Sequence, residues 1–166
     1  MSYAIFRRRP RAVLAAGSVC LGLLAATGCE RPTPLVTATV GGSSVSTEAA
    51  CYHGGKPLKR AELTRCLARK PARTVELGPG DRLRIGVEPG TAKAGWTVLA
   101  DGTPTLPEPI HKTYYSFSGD AFLQQASPRR PGAARMKESA TVTVLQTGSG
   151  NGPVRGVWHV ELKSAG

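Results

Sequence analysis

Thr74-Val75-Glu76-Leu77-Gly78-Pro79-Gly80-Asp81-Arg82-Leu83-Arg84-Ile85-Gly86-Val87 is the stretch, residues 74–87, on which the fold class turns. A short run with a β-branched residue meets Gly-Pro-Gly-Asp, a strong turn signal. A second run follows in which Leu83, Ile85 and Val87 alternate with polar or small residues. Period-two alternation places one parity on one face of a sheet, so these three side chains are expected to point inward.

The same grammar repeats on both sides. Upstream, Leu35 to Val40 is rich in β-branched residues and Gly41-Gly42 is a turn signal. Ser43 to Tyr52 then resumes an extended pattern with Val45, Ala49 and Cys51 on one parity, and the pair reads as a hairpin. Downstream, Pro89-Gly90 turns the chain, and Trp96 to Leu99 ends at Asp101-Gly102, a hairpin signal. Thr113 to Phe117 sets Thr113, Tyr115 and Phe117 on one face and Tyr114 on the other. Ala121 to Gln125 reads as one helical turn, and Ser127 to Arg135 as a loop bearing proline and arginine. Thr141 to Thr147 alternates Val142 and Val144 with threonines. Val157 to Leu162 closes the pattern with Trp158, Val160 and Leu162 on one side, which leaves His159 facing solvent.

One segment breaks the β pattern. Pro57 to Arg69 places Leu58, Leu63 and Leu67 near one helical face, with Cys66 three residues after Leu63, and Pro57 suits a first turn. The expectation is a mainly β protein of seven or eight strands, roughly, forming an antiparallel β-sandwich, immunoglobulin-like, with one short inserted helix. A small barrel is the alternative. The immunoglobulin hallmark of two cysteines flanking a tryptophan is absent, because Cys51 and Cys66 lie too close together in sequence.

The N-terminus carries an address. Arg7, Arg8, Arg9 and Arg11 precede the apolar run Ala12 to Ala26, and small residues lead to Cys29. That run suits a signal peptide and is short for a bilayer-spanning helix, which needs about twenty residues. Ala26-Thr27-Gly28-Cys29 resembles the lipobox of bacterial lipoproteins, although Ala26 stands where that motif usually has leucine. The resemblance implies cleavage before Cys29 and lipid attachment to its thiol. Residues 1–28 would then be signal peptide, 29–34 a tether, and 35–166 a single sandwich domain. Two acyl chains would hold the protein on the extracytoplasmic face of the cell membrane, where one chain anchors only marginally. Arginine pairs also belong to twin-arginine signals. Pro10 and Arg11 stand where that motif wants apolar residues, so the general secretory route is expected.

Removing the first 28 of 166 residues takes away four arginines and no acid, so the net charge of +11 becomes +7. Anionic lipid and wall polymers are the natural partners of such a surface, and an envelope protein is another. No nucleic-acid motif is present, and nucleic acid is in the wrong compartment for an exported protein. Basic residues are densest over the candidate helix, at Lys59, Arg60, Arg65 and Arg69, which makes that helix the expected binding face. With Cys20 in the signal and Cys29 lipidated, Cys51 and Cys66 form an even pair and are expected to be a disulfide.

Catalytic patterns are missing. His53, His111 and His159 have no Gly-x-Ser-x-Gly partner, and Met136 stands alone without the ligands of a copper site. Two cysteines and His53 lack a fourth metal ligand at a recognisable spacing, so neither metal nor cofactor is expected. Among the aromatic residues Tyr114, out of phase with Tyr115, is the candidate for surface binding.

The lipobox, the Arg-Pro-Thr-Pro-Leu-Val-Thr-Ala-Thr-Val start at 31–40, Ala-Ala-Cys-Tyr at 49–52 and Gly-Val-Trp-His-Val-Glu-Leu at 156–162 together resemble a family of uncharacterised actinobacterial lipoproteins. That resemblance implies anchorage and a wall-facing position, and no activity. The functional expectation is a non-enzymatic binding or scaffold module at the cell envelope. An enzyme using His53 or His111, or a carrier with an apolar cavity, are the alternatives.

Overall fold

Alternating apolar residues build two sheets that close on one core. The computed structural model describes residues 32–126, 134–148 and 152–165, which lie in one compact unit, Pro32–Gly166. In chain order these residues form β1 (Val36–Val40), β2 (Ser43–Thr47), β3 (Cys51–Tyr52), α1 (Arg60–Leu67), β4 (Thr74–Leu77), β5 (Arg82–Val87), α2 (Pro89–Ala94) and β6 (Trp96–Ala100). Then follow β7 (Thr103–Pro104), β8 (Tyr114–Ser118), α3 (Asp120–Leu123), β9 (Gln124–Ala126), β10 (Ala134–Met136), β11 (Ser139–Gln146) and β12 (Gly156–Ser164). The signal segment with Cys29, and Arg129 and Arg130 of the expected loop, lie outside the described residues.

The first sheet has the order β2-β1-β5-β8, and the second β3-β12-β11-β6-β7. Their inner faces interdigitate through Ala38, Leu83 and Ile85 on one side and Val98, Val142, Trp158 and Val160 on the other. The protein is thus a mainly β sandwich of two antiparallel sheets. One pairing departs from that rule. β4 runs parallel to β12, from Thr74 opposite Glu161 to Leu77 opposite Ser164.

In the segment that decides the fold, Leu83, Ile85 and Val87 are all buried. The Gly78–Asp81 turn does not fold β4 back on β5, however. It carries the chain from the second sheet to the first. Asp81 stabilises the crossing by accepting the Gly78 N–H on Oδ2 at 2.8 Å, and its own N–H donates to Gly78 O at 3.2 Å. The expected extended run Ser43 to Tyr52 divides in a similar way. β2 pairs with β1 in the first sheet, and β3 pairs with β12 in the second.

Helical content is differently distributed than the sequence suggests. α1 starts at Arg60, with Lys59 as its extended N-cap residue, so Pro57 precedes the helix rather than occupying its first turn. Leu58 and Cys66 are buried, whereas Leu67 is 41% exposed and lies off the apolar face. Pro89-Gly90 opens the short helix α2, not a simple turn, with Pro89 in the first turn, where its missing N–H has no intrahelical partner to lose. Asp101 and Gly102 both have positive φ, 46° and 84°, which matches the strand twist in the β6–β7 hairpin. Partial burial raises the Asp101 carboxyl. The hydrogen bond from Lys137 Nζ, the Thr141 N–H and the Lys137 charge outweigh that effect and hold its pKa below the ordinary value.

The half of the expected tether that is described is docked on the domain. Thr33 Oγ1 accepts the Ala49 N–H at 3.3 Å, and Pro34 O accepts the Trp158 indole N–H at 2.7 Å. Leu35 N–H donates to Glu88 Oε1 at 3.0 Å. Thr33, Pro34 and Leu35 are thus bonded to the sandwich, in the same compact unit as its strands.

Candidate functional site

The disulfide organises the region where the basic residues gather. Cys51 and Cys66 are bonded, with Cα atoms 5.9 Å apart and 15 residues between them in sequence. Cys66 sits in the last turn of α1 and Cys51 in the edge strand β3, so the bond clamps the helix across the outer face of the second sheet. Leu58, Leu145, Val157 and Cys66 form a second, smaller apolar cluster there. Glu62 approaches both sulfurs, its carboxylate and the two sulfur atoms lying within 4.8 Å of one another. His53 Nε2 lies 3.0 Å from Glu62 Oε1. With both sulfurs spent on the bond to each other, these groups make no metal-binding set in this state.

Two grooves flank α1, and they divide the expected basic face. Alongside the helix, from the segment before it to Arg65 in its last turn, Lys56, Lys59 and Arg65 line a groove of about 490 Å³ together with His53 and Glu62. Past the C-terminal end, Arg69, Lys70 and Arg73 line one of about 620 Å³ with Leu35, Glu48 and Ala50 around them. Arg60 lines neither. Lys59, Arg60, Arg65, Arg69 and Lys70 are all exposed, and among the described residues none of them joins an ion pair. Arg69 is positioned by donating through Nη1 to the Ala50 carbonyl, which fixes it at the rim of the larger groove. Arg73, at the end of the same basic stretch of sequence but outside the expected binding helix, joins Arg69 in this groove, where the segment leading into β4 lies beside β2.

His159 forms the floor of the larger groove, and here the sequence expectation fails. It is buried, not turned to solvent. The alternation in β12 holds, but both faces of the strand are covered, one by the first sheet and the other by α1. Nε2 donates to Cys66 O at 2.9 Å, and Nδ1 accepts the Thr143 hydroxyl at 2.9 Å. Both ring nitrogens are thus engaged in one neutral tautomer, which ties β11, β12 and the end of α1 together. Burial pushes its pKa below the ordinary 6.5, the hydrogen bond to the Cys66 carbonyl pulls it up, and the Arg69 charge lowers it further.

A pH dependence follows. Between the lowered native value and 6.5 the unfolded chain binds the proton more tightly than the folded one. This contribution to stability is whole above 6.5, shrinks as the pH falls through that value, and levels off below the native value. Glutamine can mimic both hydrogen bonds without titrating. Urea unfolding of His159→Gln is therefore expected to vary less between about pH 5 and pH 7 than that of the native protein. Parallel pH profiles would assign the dependence elsewhere.

The other histidines stay apart. His53 has its side chain 58% exposed in an open groove, and His111 is exposed beside Gly95. No side-chain hydroxyl donates to either of them among the described residues. Tyr114 is 66% exposed, while Trp96, Trp158, Phe117 and Phe122 are core residues. No family model, no curated protein and no solved structure matches the chain.

Proposed function

We propose that the protein is a lipid-anchored, non-enzymatic binding module of the cell envelope, held through Cys29 on the extracytoplasmic face of the membrane, with an anionic wall polymer as partner. The resemblance to uncharacterised actinobacterial lipoproteins and the immunoglobulin-like arrangement of the sandwich belong to the same reading. The observation that supports it best is the row of exposed cations on and around α1, clear of the ion pairs found among the described residues. A clamped helix presents these charges on a rigid support, so less ordering entropy opposes binding. The anchor itself rests on the sequence from Arg7 to Cys29. Among the described residues no helix is long and apolar enough to cross a membrane.

One set of measurements tests both halves. Replacing Lys59, Arg60, Arg65 and Arg69 together by serine is expected to abolish retention on purified anionic wall polymer while leaving the circular dichroism spectrum unchanged. Undiminished retention would remove the basis of the partner assignment. Cys29→Ala is expected to release the domain from the membrane fraction or to stall its processing. Normal lipid labelling of that variant would refute the anchor.

A further inference from the structure

The groove past the end of α1 has a property that its counterpart alongside the helix lacks. The chain enters the domain there. Leu35 lines it, Ala49 on its wall bonds to Thr33, and Pro34 is bonded to Trp158. Only three peptide steps join Cys29 to Pro32, a reach of about 10 Å when fully extended. With lipid on Cys29, this is the side of the domain that covalent length keeps against the bilayer. It carries three cations, Arg69, Lys70 and Arg73, against one acid, Glu48. Leu35, 42% exposed, and Leu67, 41% exposed two residues before Arg69, add apolar surface beside the charges. Cations with adjacent apolar side chains suit the boundary between phosphate headgroups and acyl chains.

We infer that this groove seats the phosphate headgroups of anionic phospholipids in the membrane that holds Cys29, and so fixes which way the domain faces. The assignment rests on the anchored-lipoprotein reading for its biological setting. Its physical content is separable, since the groove and all of its lining residues lie after Pro32. The two grooves share no lining residue. Lys56, Lys59 and Arg65 of the other groove are left for the wall partner, so one basic surface serves two neighbours.

The test uses the chain from Pro32 to Gly166, which contains the core and the disulfide. Its binding to vesicles of phosphatidylglycerol mixed with phosphatidylcholine is compared with binding to phosphatidylcholine alone, at low salt. Each basic residue near an anionic surface contributes about fivefold to partitioning, so K70S with R73S should lower binding to the anionic vesicles about 30-fold. K59S with R65S removes the same formal charge and should change it by less than about threefold. Both pairs are exposed and spare the Arg69 bond to Ala50, so folding should survive, with circular dichroism as the check. Equal loss from the two pairs, or equal binding to both vesicle types, would overturn the proposal. So would K70S/R73S-sensitive retention on a soluble glycerol phosphate polymer without vesicle binding, which would assign the groove to the wall. Because this chain lacks Cys29, its result is independent of the anchor, which Cys29→Ala tests separately.

Discussion

Trp158→Ala is expected to lower the unfolding free energy by about 3–5 kcal/mol, the usual cost of emptying a large aromatic site. Trp158 is fully buried, at 0% exposure, in β12, an interior strand of the second sheet. Its ring packs near Tyr52, with centroids 6.1 Å apart, and lies so close over Gly156 that a Cβ there would come within 2.4 Å of it. Neighbouring strands fix that space, so the cavity cannot collapse easily. Urea unfolding measures the loss, and a loss under about 1 kcal/mol would show that the site repacks. Trp158→Phe separates two contributions. It keeps most of the bulk but strands the Pro34 carbonyl, at a cost of about 1 kcal/mol, and should make the chain near Pro32 to Leu35 more open to proteolysis.

Opening the Cys51–Cys66 bond, by a dithiol or by Cys51→Ser with Cys66→Ser, is expected to cost about 3 kcal/mol for a loop of this length. The effect should be local in hydrogen exchange. α1 has eight residues, too few to be stable alone, and it is held by the disulfide, the Cys66 carbonyl bond to His159 and a small apolar cluster. Its amides should lose protection well before those of β1 and β5. Uniform loss over all strands would mean that α1 and the sandwich unfold as one unit.

Particular residues show what could be read from the sequence. Leu83, Ile85 and Val87 gave the right face because β5 has alternating burial, exposed or half-buried residues between buried ones. The disulfide followed from counting, since the signal-like N-terminus leaves Cys51 and Cys66 as an even pair, and the two are bonded. His159 was misread because alternation assigns faces, yet says nothing about what covers the second one. Only the long-range placement of α1 buries it. The β4–β12 pairing joins Thr74 to Glu161 across 87 residues, and no local signal encodes such a partner. For the same reason a single basic helix was expected where two grooves occur. Arg69, Lys70 and Arg73 are neighbours in sequence, but the groove exists only because Leu35, Ser46 to Ala50 and His159 come from distant segments to form its other walls.

β12 has a temporal meaning as well as a structural one. It pairs with β11 along one edge and with β3 and β4 along the other, so three earlier strands wait for it. Synthesis runs from the N-terminus, and β12 is the last strand of this sequence to emerge. Until it does, β3 and β4 have no partner, Trp158 is missing from the core and α1 has no floor. Completing the second sheet therefore waits on residues 156–164, and a chain truncated before Gly156 is expected to lack both that sheet and the support under α1.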